Sequence, residues 1–235
     1  MYQQFSNRCK ASLGLVKGID FANVQIMRWI VTAILVSTLA APGCTDNGPT
    51  APSGASPAII AIGDSLTSGP GLRQDETYPA LLQKRIAVEG RDYRVVNAGV
   101  TGDTSSDALL RFDAALVPGT EIVILAIGGN DGLHKVPVPT VERNIATMIE
   151  RAEAGGVDVL LCQMEAPPLG GLSYTLEFHR IFTRLAERYN VPLVPFFLLG
   201  ILENNTLDLN DTLHPNAAGH KVIADAIWPH LRPML

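Results

Sequence analysis

The sequence predicts an α/β fold: a three-layer α/β/α sandwich on a five-stranded parallel sheet. Three observations predict it. Five short apolar runs alternate with five segments of helical period, the order that builds a parallel sheet through helical crossovers. The first run, Ala58 to Ile62, is apolar throughout and rich in β-branched residues, as a strand covered on both faces is. It stops at Gly63-Asp64-Ser65, and the third run stops at Gly128-Gly129-Asn130-Asp131. Such endings deliver polar groups to the carboxyl edge of the sheet, where open α/β folds bind ligands.

Length and charge set the frame. The 235 residues suffice for one domain of ordinary size with a core to match. There are 18 basic and 23 acidic residues, for a net charge of -5, and no run of Lys or Arg forms a patch. That argues against nucleic acid as a partner.

The front of the chain, residues 1–44, does not look like part of the fold. Arg28 precedes the apolar run Trp29 to Ala41, which leaves through small residues to Gly43-Cys44, the pattern of an export signal. The run is shorter than the roughly 20 apolar residues of a transmembrane helix, the competing reading. Met27 is a conventional start for such a signal, so Met1 to Ile26 reads as an over-long start or an unstructured extension. Leu39-Ala40-Ala41-Pro42-Gly43-Cys44 resembles the lipobox of bacterial lipoproteins, which implies acylation of Cys44 and a membrane contact through that lipid alone. Ala41 and Pro42 depart from the commonest lipobox, and an ordinary signal peptide cut near Ala40 or Ala41 is the alternative. Residues 45–57 have the Pro, Gly, Ser, Thr and Ala content of a disordered tether, so the domain is expected to span 58–235. Cys162, in an apolar strand pattern, is the one Cys of that domain; it reads as a buried thiol, and no internal disulfide forms.

The elements follow in order. After the first strand, Tyr78 to Val88 has helical spacing, with Leu81, Leu82 and Ile86 on one side. Tyr93 to Asn97 is a short second strand. Thr104 with Asp107 resembles a capping box and starts a helix from Ser105 to Leu116. Glu121 to Ile127 is the third strand, followed by a helix over Thr140 to Glu153 that ends at Gly155-Gly156. Val157 to Gln163 is the fourth strand. The loop Met164 to Ser173, with Pro167-Pro168 and Gly170-Gly171, is expected to be irregular. Thr175 to Tyr189 is a helix, and Val191 to Phe197 a proline-marked, peripheral fifth strand. The polar turn Asn204 to Asn216 leads to a last helix from Pro215 to about Trp228, with Pro in its first position.

The strand ends carry the chemistry. Ser65 follows the first strand, Gly102 the second and Asn130 the third, while Asp211 and His214 precede the last helix. A parallel sheet brings these loops to one edge. Acyl transfer needs this set: a nucleophilic hydroxyl, a base with a carboxylate to orient it, and donors for the oxyanion. Each has a plainer reading. Ser65 is a helix-cap residue, Gly-Asn-Asp is turn chemistry, and Asp211 caps a turn with His214 on the surface. Asp64, Asp103 and Asp131 read as holding their turns through local backbone N–H groups.

Gly63-Asp64-Ser65-Leu66, Gly102 within Asn97-Ala98-Gly99-Val100-Thr101-Gly102-Asp103-Thr104-Ser105, Gly128-Gly129-Asn130-Asp131-Gly132-Leu133 and Asp211-Thr212-Leu213-His214-Pro215-Asn216 resemble the four blocks of the GDSL, or SGNH, hydrolases. The similarity runs from about Pro57 to the end, and the blocks are similar to those of the bacterial arylesterase and multifunctional acyl-thioesterase/lysophospholipase branch. The resemblance implies a flavodoxin-like sheet and assigns roles: Ser65 nucleophile, His214 general base and then acid, Asp211 its orienting carboxylate. It further implies an oxyanion hole made of the Ser65 and Gly102 N–H groups and the Asn130 amide. The second glycine of the Gly-x-Ser-x-Gly elbow is missing from Gly63-Asp64-Ser65-Leu66-Thr67, in line with that family. His134 lies in the loop Leu133 to Pro139, which the family uses as a mobile flap; a surface histidine is its plainer reading.

The expected activity is that of an exported serine esterase acting through an acyl-enzyme on aryl or short-to-medium acyl esters, with thioesters and lysophospholipids as variants. Val136 to Val138 and Ala166 to Leu172 are the apolar segments placed to take the acyl chain. A sugar O-acetyl esterase on the same scaffold and a non-catalytic binding lipoprotein are the rival readings. Gly63-Asp64 and Gly129-Asn130-Asp131 also echo metallophosphoesterase blocks. Those sites need several histidines, whereas His179 and His230 fall in helical stretches and no His-x-His pair exists beside His134, His214 and His220. No metal and no cofactor is therefore expected.

Overall fold

The computed structural model describes residues 56–196, 198, 201, 204, 206–209, 211 and 213–235. The expected signal, Cys44 and the tether up to residue 55 lie outside the described residues. Ser56 and Pro57, expected as tether, are tied to the domain: Ser56 Oγ donates to Asp92 Oδ1 at 2.5 Å, and the Pro57 carbonyl accepts from Arg94 N at 2.9 Å.

Five strands, β1 (Ala58–Gly63), β2 (Arg94–Gly99), β3 (Thr120–Ala126), β4 (Asp158–Cys162) and β5 (Leu193–Val194), form one parallel sheet in the order β2-β1-β3-β4-β5. This is the flavodoxin-like doubly wound order, whose crevice opens where the strand order reverses beside β1. All six residues of β1 are buried, which explains its unbroken apolar sequence. Gly63 stands opposite both Gly99 and Ala126, so β1, β2 and β3 end level and their loops emerge together.

Helices α2 (Tyr78–Val88) and α7 (Ala217–Leu231) pack together on one face, and α3 (Ser105–Ala115), α5 (Val138–Ala154) and α6 (Leu172–Tyr189) on the other. The core between them includes Tyr78, Phe112, Phe178 and Phe182, all fully buried. Cys162 is buried there as expected, and burial pushes its thiol pKa up. Two short helices lie at the strand ends: α1 (Ser65–Ser68), and α4 (Gly129–His134) in a segment that the sequence alone reads as a turn.

Several boundaries shift by one or two residues, and three differences have a clear physical reason. Among the described residues of the expected fifth strand, only Leu193 and Val194 pair with β4, because Pro192 and Pro195 flank them and lack an N–H to donate. The irregular loop ends early: Pro168–Gly170 forms a 3-10 turn and α6 begins at Leu172. The last helix does not start on Pro215, which bridges Asp208. Asn216 caps it instead, its side chain accepting from the N–H groups of Ala218 and Gly219.

Candidate active site

The turn after β1 is set by Asp64. Its Oδ1 accepts from Leu66 N at 2.9 Å, so Asp64, not Ser65, caps α1, and Ser65 occupies the first helical position. The capping role that competed for Ser65 is thereby filled by its neighbour. Ser65 makes no side-chain hydrogen bond among the described residues. The backbone of α1 rests directly on the end of β2: a Cβ on Gly99 would stand 2.3 Å from Ser68 N, so only glycine fits there. Asn97 Nδ2 adds a bond to the Thr67 carbonyl at 2.8 Å.

Gly102 turns the chain after β2 with a φ of 89°, a conformation that glycine adopts without strain. None of the turn and cap hydrogen bonds uses the N–H of Ser65 or of Gly102. Asn130, at the start of α4, donates through Nδ2 to the Asp103 carbonyl at 2.9 Å and approaches Asp64 Oδ2 at 3.5 Å. Asp211 accepts three bonds, from Leu213 N at 3.0 Å, His214 N at 2.9 Å and His214 Nδ1 at 2.6 Å. Asp211 thus both caps its own turn and bonds the His214 ring. The His214 ring, followed by the two backbone N–H groups, holds the Asp211 carboxyl well below the usual carboxylate range.

These loops meet. Ser65, Gly102, Asn130 and His214 all line one cavity of about 410 Å³, while Asp211 stands behind His214. The rest of the lining is mostly apolar: Leu66, Leu133, Met164, Ala166, Pro167, Phe196, Leu198 and Leu213. Of the two segments expected along the acyl chain, Ala166 and Pro167 take part. Val136 and Val138 do not; they pack against the core, and Tyr174 Oη pins their loop by donating to the Val136 carbonyl at 2.9 Å. His134 is exposed and outside the lining, as its plainer reading had it.

Of the three aspartates expected to hold local turns, only Asp64 does so, through Leu66 N; Asp103 and Asp131 bond partners on other elements instead. Asp64 is buried, and that burial lifts its pKa to about 6 against the pull of the Leu66 N–H. Asp103 pairs with Arg111 Nε at 2.6 Å, and the same guanidinium donates to the carbonyls of Ala98 at 2.7 Å and Gly63 at 3.1 Å. One side chain of α3 thus clamps the ends of β1 and β2. Asp131 reaches across to Ser105, accepting from its N–H and its hydroxyl, each at 2.7 Å. Burial raises the Asp131 pKa, and the Ser105 bonds oppose the rise. Sequence reasoning missed Arg111 and the reach of Asp131 because no short-range signal marks a partner 26 to 48 residues away.

Comparison with known proteins agrees with this geometry. Residues 61–222 match the GDSL-like lipase/acylhydrolase family. The esterase TesA of Pseudomonas aeruginosa is 38% identical over 178 residues, 75% of this chain and 89% of that protein. A crystal structure of a protein named TesA has a TM-score of 0.72, covering 76% of this chain and 99% of the other. An arylesterase of Vibrio mimicus is 32% identical, over 77% of this chain and 91% of the relative. The thioesterase 1/protease 1/lysophospholipase L1 of Escherichia coli K12 is 31% identical, over 75% and 84%. A doubly wound sheet with hydroxyl, imidazole and amide groups at its carboxyl edge defines a three-layer α/β/α hydrolase. The chain belongs to the GDSL-like lipase/acylhydrolase family, and it is a carboxylic ester hydrolase.

Proposed function

We propose that Ser65 is the nucleophile of an acyl-enzyme mechanism, with His214 as base and acid and Asp211 as its orienting carboxylate. The observation that carries this reading is the Asp211–His214 bond at 2.6 Å, with His214 and Ser65 lining the same cavity. With Nδ1 held by Asp211, the remaining ring nitrogen takes the Ser65 proton as Oγ attacks the ester carbonyl. The developing oxyanion is met by the N–H groups of Ser65 and Gly102 and by the Asn130 amide hydrogen that only grazes Asp64. His214 then protonates the departing oxygen, and water repeats the sequence to release the acid.

The apolar lining favours aryl and short-to-medium acyl esters over polar sugars, and thioesters and lysophospholipids are extensions of the same reaction. The test is hydrolysis of p-nitrophenyl acetate, butyrate and octanoate, by wild type, Ser65→Ala, His214→Ala and the double variant, with and without a chelator. Each single variant loses most of the rate, and the double variant little more, because the two groups act as one unit. Additive losses, or a rate that the chelator removes, would sink the reading. Activity on acetylated sugars alone would point to the O-acetyl esterase.

Export rests on the Arg28 to Cys44 segment and is part of the same proposal, with Cys44 lipidated in the cell envelope. Labelled palmitate is expected in the wild-type protein and absent from Cys44→Ala. A wild-type protein without label would leave an ordinary signal peptide, and equal labelling of both would place the acyl group elsewhere than Cys44.

A further inference from the structure

We propose that Glu165 selects substrates by charge: its carboxylate biases the acyl wall of the cavity against acyl chains that carry an anion and toward those that carry a cation. The inference rests on the Ser65–His214 reading above and deepens it by naming a substrate class.

The geometry follows from the chemistry. His214 has to protonate the leaving oxygen, so the alcohol half of the ester lies toward His214 and Leu213. The carbonyl oxygen points to Ser65, Gly102 and Asn130. The acyl chain takes the remaining direction, along Leu133 and the Met164–Pro167 segment that follows β4. Glu165 belongs to that segment and lines the cavity.

Its carboxylate is fixed rather than free. Glu165 Oε1 accepts from Gln163 Nε2 at 2.9 Å and is 2.6 Å from His179 Nδ1. Gln163 is itself buried, and the Glu165 side chain is only 26% exposed. Among the described residues that line the cavity there is no Lys or Arg, and the second carboxylate, Asp64, has the same sign. A charge held against an apolar wall, partly shielded from water, acts on a bound chain more strongly than one in bulk solvent.

The readout is a ratio within one chain length, so that general losses of activity cancel. The p-nitrophenyl esters of 6-(trimethylammonio)hexanoic acid, adipic acid (as the monoester) and hexanoic acid are compared by kcat/KM at low salt. Assays run at a single pH of 8, so that the three esters are compared on one charge state of the protein. Wild type is expected to favour the cationic over the anionic ester by about tenfold, the ratio shrinking in 0.5 M NaCl as screening sets in. In Glu165→Gln the ratio falls to within about threefold of unity, and in Glu165→Lys it inverts. A wild-type ratio near one, or a ratio that Glu165→Gln leaves intact, would overturn the proposal. So would charge sensitivity confined to esters with the charge on the alcohol half. Failure of the Ser65 reading shows separately, as neutral hexanoate turnover that survives Ser65→Ala.

Discussion

The Asn130 side-chain amide donates to the backbone carbonyl of Asp103 at 2.9 Å. That bond joins the end of β3 to the loop that follows β2, so the amide and Gly102 are positioned against each other rather than each by its own strand. It occupies one amide hydrogen, and Asp64 Oδ2 lies 3.5 Å from the same nitrogen. The same carboxylate caps the helix that begins at Ser65. Ser65, Gly102 and Asn130 thus share a small set of supports.

Asn130→Ala should therefore lose both a transition-state contact and a loop tie. Removing one oxyanion donor lowers kcat by about 10²- to 10³-fold with little change in KM, and the lost Asp103 bond costs about 1 kcal/mol of stability. Steady-state kinetics and urea midpoints read the two effects separately. Asn130→Asp should be worse in kcat, since a carboxylate has no hydrogen to offer and faces Asp64. Equal kcat in Asn130→Ala and wild type would remove Asn130 from the oxyanion hole.

Arg111 supports the same loops from below, through Asp103, Ala98 and Gly63. Arg111→Lys keeps the charge but cannot meet three acceptors from one ammonium group. We expect a loss of about 2 to 3 kcal/mol, seen as a lower urea midpoint at unchanged m-value, together with a lower kcat as the Gly102 turn loosens. A wild-type midpoint would mean that the pairing with Asp103 alone matters.

Asp64 makes stability depend on pH in a direction opposite to most carboxylates. Its folded-state pKa, about 6, lies above the ordinary 3.8, so folding favours the protonated form. Its contribution is full below about pH 4 and is lost as pH rises through about 6, by roughly 3 kcal/mol in total. Asp64→Asn lacks this slope. Denaturation at pH 4 and pH 7 should show the variant gaining on wild type between the two. A difference that is constant with pH would show that the carboxyl is not desolvated.

The extent of the fold legible in the sequence follows from the range of the interactions involved. Helix α2 spans the residues that apolar spacing predicts, and the Thr104–Asp107 capping box starts α3 as expected. These depend on neighbours within one or two turns of the chain. The fifth strand and the start of α7 depend on partners distant from their prolines: Pro192 and Pro195 leave two paired residues among those described, and Pro215 pairs with Asp208 before Asn216 caps the helix.

The sequence by itself determined the sheet's composition, the order of the four blocks and hence the identities of Ser65, Gly102, Asn130, Asp211 and His214. Local periodicity, turn residues and the short Asp211-x-x-His214 spacing carry that information. Only the tertiary structure decided what holds them: the Asn130–Asp103 tie, the Arg111 clamp, the Asp131–Ser105 contact and the Glu165 carboxylate on the cavity wall. Most of these pair groups on different strands and helices, brought together when strands that end level release their loops at one edge. Glu165 lies close in sequence to Gln163 and His179, yet its place in the same cavity lining as Ser65 depends on β4 lying next to β3. Such juxtapositions arise from sheet order and register, which no local pattern of residues encodes.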